Sequence, residues 1–251
     1  GKQAMPGVEV VLEEWAQSPR GGEELKSTQV GLTDAEGVTR FKRVSVRRGI
    51  TYVASTLRDG LTFSTVPISG FAPRGTLELN TYEQTSSTAE LEYAVIAQLD
   101  IREAMIMVRL KLKARNISNR VIVATEDAPV RIPMLLPSIG DKPWVGYLPT
   151  EKAMANIRLR TDPKRGLLEV SNGGVFYTGA IFPGDRGQDW FVSYGLPIHS
   201  AETELGFQSN KPITQLLFAG LWPNSLAPTF DPSLPYDTST GMQADRIIQR
   251  L

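Results

Sequence analysis

The stretch Met107-Val108-Arg109-Leu110-Lys111-Leu112-Lys113-Ala114-Arg115 decides the fold. Apolar and basic side chains alternate along it, the period of a strand with one face buried and the other in water. Val108, Leu110, Leu112 and Ala114 take one face, and Arg109, Lys111, Lys113 and Arg115 take the other. The same period recurs on both sides of this segment, in runs of four to eight residues. Long helical patterns are scarce. The 22 glycines and 17 prolines punctuate these runs at short intervals, as in β-sandwiches. The fold expected is all-β.

Toward the N-terminus the pattern predicts strands at Val8–Leu12, Ser27–Leu32, Val38–Phe41, Thr51–Ser55, Leu61–Ser64 and Thr76–Asn80. Phe41 should point inward. Thr33-Asp34-Ala35-Glu36-Gly37 and Asp59-Gly60 read as turns. So many short strands in one segment suggest a small Greek-key sandwich over residues 1–82. Residues 83–90 carry no large apolar side chain and read as a linker. Residues 91–222 read as a second, larger sandwich. Its strands are expected at Met107–Arg115, Val121–Val123, Arg131–Leu135, Ala155–Leu159, Gly166–Val170, Val175–Thr178, Trp190–Tyr194 and Gln215–Ala219. From Pro223 four prolines fall within thirteen residues (Pro223, Pro228, Pro232, Pro235). Proline cannot donate to a sheet ladder, so 223–251 reads as an irregular tail. Ala244–Leu251 reads as a short helix or a frayed end.

Composition works by exclusion. The chain has 251 residues, 41% of them apolar, enough for a packed core. Lys+Arg is 27 and Asp+Glu is 27, so no whole-molecule field draws it to nucleic acid or to an anionic membrane. Cysteine is absent and His199 is the one histidine, which removes disulfides, thiolate chemistry and a multi-His metal site. No cofactor is expected. No apolar stretch reaches the length of a helical membrane span. The start at Gly1, without a Met, leaves room for a removed signal or anchor.

Catalytic signatures are weak. Ser200 beside His199 would point to the opposite face of a strand, and no G-x-S-x-G elbow occurs. Glu13-Glu14 and Glu23-Glu24 lack the calcium-loop pattern and cannot face each other across a cleft as hydrolytic carboxylates must. Asn116-Ile117-Ser118 fits a glycosylation pattern.

Binding candidates are better defined. Arg109, Lys111, Lys113 and Arg115 project as one stripe about 20 Å long. That suits an anion: polysaccharide acid groups, phosphate or an acidic partner. Acids on neighbouring strands, such as Glu92 or Asp100, would instead neutralise it. Trp144, Trp190 and Tyr194 belong to an aromatic-rich second segment and are candidates for a ligand platform. Aromatics do not interleave with the stripe, which argues against a nucleic-acid groove.

Two resemblances add to this. The stretches Pro6-Gly7-Val8-Glu9-Val10-Val11-Leu12, Thr33-Asp34-Ala35-Glu36-Gly37-Val38-Thr39-Arg40-Phe41 and Tyr52-Val53-Ala54-Ser55 together resemble the carboxypeptidase-regulatory-like, transthyretin-like domain. The family pattern is a P-G-x-x-V-x-L strand, a T-D-x-x-G-x-x-x-F hairpin and a Y-x-V strand. The stretches Lys113–Arg120, Arg131–Pro137, Phe182-Pro183-Gly184 and Phe191–Pro197 resemble the ectodomain sandwich that follows such modules in bacterial envelope proteins. The resemblances imply two immunoglobulin/transthyretin-like sandwiches in a periplasmic or surface protein. The function they imply is non-enzymatic: ligand binding or assembly with an envelope protein or polysaccharide. A carbohydrate-active or peptidase enzyme with a carboxylate site is one alternative. A subunit of a filament or secretion machine is another.

Overall fold

The computed structural model describes residues 3–18, 21–44, 47–69, 76–102, 105–137, 157–163, 165–171, 174–184, 187–197, 205–222, 239–243 and 246–250. Every regular element among them is a strand, with no α-helix. The chain divides into two compact units, Gly1–Tyr82 and Glu83–Leu251.

In the first unit, β1 (Glu9–Gln17), β2 (Glu23–Leu32), β3 (Ile50–Arg58), β4 (Leu61–Ser64) and β5 (Ile68–Ser69) form one sheet. Its order is β2-β1-β3-β4, with β5 beside β3. Val10, Leu12, Tyr52 and Ala54 are buried on one face, where Phe41, Val44, Leu77 and Leu79 pack on them. Phe41 points inward as expected. Two expected strands are not strands: 38–41 and 76–80 run as irregular backbone. Alternating Leu77 and Leu79 with polar residues lays the leucines on the core, but alternation alone does not supply a ladder partner. The described part of this unit is a single sheet with an irregular cover, not the Greek-key arrangement expected. Its opposite face leaves Val30, Leu32 and Leu57 at 61%, 65% and 72% exposure.

Both predicted turns form. The Asp34 carboxylate accepts from the amides of Glu36 (3.1 Å) and Val38 (2.8 Å), and Gly37 takes φ of +73°. The Val38 amide is the main cause that holds the Asp34 carboxyl below its usual range. Asp59 and Gly60 both have positive φ (50° and 77°), as a two-residue hairpin turn of the I′ type requires.

The second unit is built on β7 (Leu91–Arg102) and β8 (Met105–Asn116), twelve residues each, paired antiparallel along their whole length. Around them lie β12 (Arg158–Arg160), β15 (Gln188–Pro197), β17 (Ile213–Trp222), β18 (Ser239–Gln243) and β19 (Arg246–Arg250). The seven strands run in the order β12-β15-β8-β7-β17-β19-β18. Within this sheet the β7–β17 pair is parallel and the other described pairs are antiparallel. A second sheet has the order β10-β14-β9-β6, with β13 beside β14. Its strands are β6 (Gln84–Thr85), β9 (Val121–Ala124), β10 (Val130–Arg131), β13 (Gly166–Ser171) and β14 (Gly174–Ile181). β11 (Met134–Pro137) pairs separately with β16 (Leu205–Gln208). One buried cluster draws on all three sheets: Val108, Leu110 and Trp190 from the first, Ile122 and Tyr177 from the second, Leu135 from the third.

Several expectations are corrected here. Residues 83–90 are not a free linker. Gln84 and Thr85 pair with Val121 and Ile122, and Glu83 accepts from the Val121 amide at 2.8 Å. Short polar residues are no bar to a strand whose side chains need not be buried. The single strand expected over Arg131–Leu135 is two: Pro133 has no N–H to give, and the chain changes sheet there. The C-terminal helix is a strand hairpin, since Ser239–Gln243 pairs with Arg246–Arg250, which pairs with β17. Most of the proline-rich segment, 223–238, lies outside the described residues, as does His199. Asn116 is fully buried. Its amide donates to Arg120 O (2.7 Å) and Ile181 O (2.9 Å) and accepts from Ser118 N and Oγ. Its place in the glycosylation pattern is therefore structural.

Aromatic residues join the sheets. Trp190 lies between Tyr177 (ring centroids 4.9 Å) and Tyr93 (6.1 Å). The Tyr93 hydroxyl donates to Arg131 O at 3.0 Å. The Tyr194 hydroxyl donates to Leu135 O at 2.6 Å and accepts from Leu135 N at 2.9 Å. Tyr194→Phe strands both Leu135 groups in the core. It should lower unfolding free energy by about 1–3 kcal/mol, read from urea unfolding; parent-like stability would overturn the joint.

Burial raises the phenol pKa of Tyr93, Tyr177 and Tyr194. An unfolded tyrosine ionises at about pH 10. The stability these phenols contribute is complete below that pH and is lost as pH rises above it, because only the unfolded chain releases the protons. Alkaline titration followed by tyrosinate absorbance and circular dichroism together should show a set of tyrosines that ionise only as the fold is lost. Ionisation of every tyrosine with the fold intact would contradict this.

Candidate functional site

β8 is flanked on both sides by long strands, and its register fixes what its outer face carries. Val108, Leu112 and Ala114 are fully buried and Leu110 nearly so, which turns Arg109, Lys111, Lys113 and Arg115 outward together. The stripe predicted from sequence is therefore present as one face of a sheet interior.

The neighbouring strands widen it. Directly paired residues of adjacent strands share a face. Arg109 pairs with Ser193, which pairs with Arg158; Lys111 pairs with Phe191, which pairs with Arg160. Two further arginines thus stand beyond the stripe, both exposed. With strands about 4.8 Å apart and same-face residues about 7 Å apart, the cations form a grid about 10 Å wide and 20 Å long.

Phe191 is the organising ring. The Arg160 guanidinium lies 4.3 Å from its centroid and the Lys111 ammonium 5.8 Å. Such contacts fix long cationic side chains that would otherwise sweep through solvent.

Acids are few on this face. Glu92 pairs with Arg115 at 2.9 Å, so one expected neutralising contact does occur. Asp100 is buried at the far end of β7, and Asp189 is exposed on β15. Among the described residues no carboxylate lies within ion-pair distance of Arg109, Lys111, Lys113, Arg158 or Arg160.

The aromatic platform is corrected. Trp190 and Tyr194 alternate with Phe191 and face inward, where Trp190 is 0% and Tyr194 3% exposed. They belong to the core because β15 is an interior strand whose even-numbered side chains meet the second sheet. Trp144 lies outside the described residues. The ring that does reach the basic face is Phe191. Its place opposite Lys111 was hidden because cross-strand register is not written in one strand's sequence.

Among the described residues no group of three or more His, Asp or Glu side chains is placed to hold a metal ion. No family model, no curated protein and no solved structure matches the chain.

The stacked pair is testable by itself. A double-mutant cycle of Arg160→Ala and Phe191→Ala should give a coupling of about 0.5–1 kcal/mol in urea unfolding. A coupling of zero would mean that Phe191 does not hold the guanidinium.

Proposed function

We propose that the chain is a non-enzymatic binding module of a bacterial envelope or surface protein, and that the outer face of its seven-stranded sheet engages an acidic polymer. One observation carries the proposal: five cations gather on one sheet face with no carboxylate within ion-pair distance among the described residues, Asp189 being the acid paired opposite Lys113, in a chain whose net charge is zero. A solvated face of a neutral protein has no need of such segregation. Phe191 between Arg160 and Lys111 supports it, since the ring positions the two cations before any ligand arrives and so reduces the ordering cost of binding.

The module pairing fits this reading. The first unit keeps the Pro6-Gly7 turn, the Asp34 turn, an inward Phe41 and a buried Tyr52, the features on which its likeness to a transthyretin-like module rests. In the second unit, the buried cluster shared between the two larger sheets is what a β-sandwich requires. Within the C-terminal residues 223–251, β18 and β19 extend the seven-stranded sheet.

Assembly through the first unit is a second reading, favoured by one observation. Val30, Leu32 and Leu57 share an exposed face beside the edge strand β2, and clustered apolar exposure marks association surfaces. Concentration-dependent sedimentation that vanishes in Val30→Ser/Leu32→Ser would favour it.

For the basic face, the chain should be retained on immobilised dextran sulfate and eluted by salt. Changing Arg109, Lys111 and Arg158 to Ser should shift elution to clearly lower salt, because each neutralised contact removes counterion release from the binding free energy. Unchanged elution would remove the face as the contact surface.

A further inference from the structure

Resting on the polyanion reading of that face, we propose that the groove at the end of β12 seats a uronic-acid residue of an acidic polysaccharide. β12 stops at Arg160, opposite Phe191, while β15 begins at Gln188. Gln188 and Asp189 are therefore paired with β8 on one side and have no β12 partner on the other. The place left open is a groove of about 500 Å³, walled by Arg160, Thr161, Asp162 and Arg165. That volume is of the size that holds a small ligand or one end of a larger one.

The groove differs in chemistry from the rest of the face. Arg160 brings a guanidinium whose ring-facing side is occupied by Phe191. Its in-plane N–H groups remain suited to a planar carboxylate. Beside it stands an acceptor on the same face, Asp189, opposite Lys113 in the register. Asp189 is exposed. The Gln188 side chain is 2% exposed, with its Nε2 donating to Thr161 Oγ1 at 2.7 Å. Its Oε1 meets no donor among the described residues. Because Thr161 Oγ1 accepts that bond, its own proton is left to donate.

This combination selects among polyanions. An inorganic polyphosphate offers acceptors alone, and Asp189 repels it. An acidic peptide has carboxylates but no vicinal hydroxyls. A sugar acid has both: a carboxylate for Arg160 and hydroxyls that donate to Asp189. The cationic grid of β8 then carries the following acidic residues of the chain.

The sign of one substitution separates the possibilities. Asp189→Ala removes a negative charge, so electrostatics alone predicts tighter binding of every polyanion. The groove predicts the opposite for a sugar acid: an affinity for polygalacturonate weakened about tenfold, with inorganic polyphosphate binding unchanged or tighter. Isothermal titration of the full chain with both polymers, and with polyglutamate, reads this directly. Thr161→Val, which keeps the shape and removes the hydroxyl, should likewise weaken polygalacturonate selectively. Tighter or unchanged polygalacturonate binding in Asp189→Ala overturns the proposal and leaves the face intact, provided Lys111→Ser still weakens both polymers. Polyglutamate bound as tightly as polygalacturonate, with the same response to Asp189→Ala, would assign the groove to an acidic peptide and overturn it. A parent chain that binds none of the three overturns the groove and the face together.

Discussion

The structure depends on the placement of β8 inside its sheet. A strand with β7 on one side and β15 on the other has no free edge, and its apolar side chains are buried almost completely. Sliding it by one residue would turn four cations into the core. Burying even one unpaired cation costs several kcal/mol. The same constraint that fixes the register therefore fixes the basic face. The charges are a consequence of the fold and a lock on it. A residue that helps to specify the register is at the same time presented to solvent in a rigid array.

The rest of the second unit is fastened to that sheet by aromatic rings with polar ends. Trp190 supplies area, and Tyr93 and Tyr194 supply area together with a hydroxyl that reaches the backbone of β10 and β11. The strand pair β10–β11 is interrupted at Pro133, so Ile132, Pro133 and their neighbours cannot complete one continuous ladder. Tyrosine hydroxyls meet part of that need. Buried backbone groups must find partners, and a tyrosine from the facing sheet is a partner that brings its own hydrophobic surface.

What the sequence disclosed follows from which forces are local. The alternation in β8, the Asp34 turn and the Asp59-Gly60 turn are properties of a few consecutive residues, and they appear in the structure as read. The alternation of β7 is blurred, because Ala94 and Ile96 occupy outward positions. β18 and β19 carry little local strand signal, because the pairing of β19 with β17 that holds the hairpin in the sheet is a long-range matter. The polar segment 83–90 looked like a linker because strand formation at Gln84 and Thr85 depends on Val121 and Ile122, far along the chain. The site divides in the same way. The four cations of β8 were legible, whereas Arg158, Arg160 and Phe191 join them only through register. Trp190 and Tyr194 were misplaced because an aromatic-rich strand does not announce which of its faces is inside.

Net charge is a poor guide to such a surface, and the reason is one of range. Exposed charges farther apart than about 8–10 Å are largely screened at physiological salt. Neighbouring cations of the grid lie within that distance of one another, so a ligand resting on them meets several at once. Carboxylates farther away than that contribute little, even though they bring the total to zero. Asp189 is the exception, since it stands among the cations. An acceptor in that position weakens a simple polyanion site. It strengthens one whose ligand carries donors beside its charge, and that is the chemical distinction between a sugar acid and a bare phosphate.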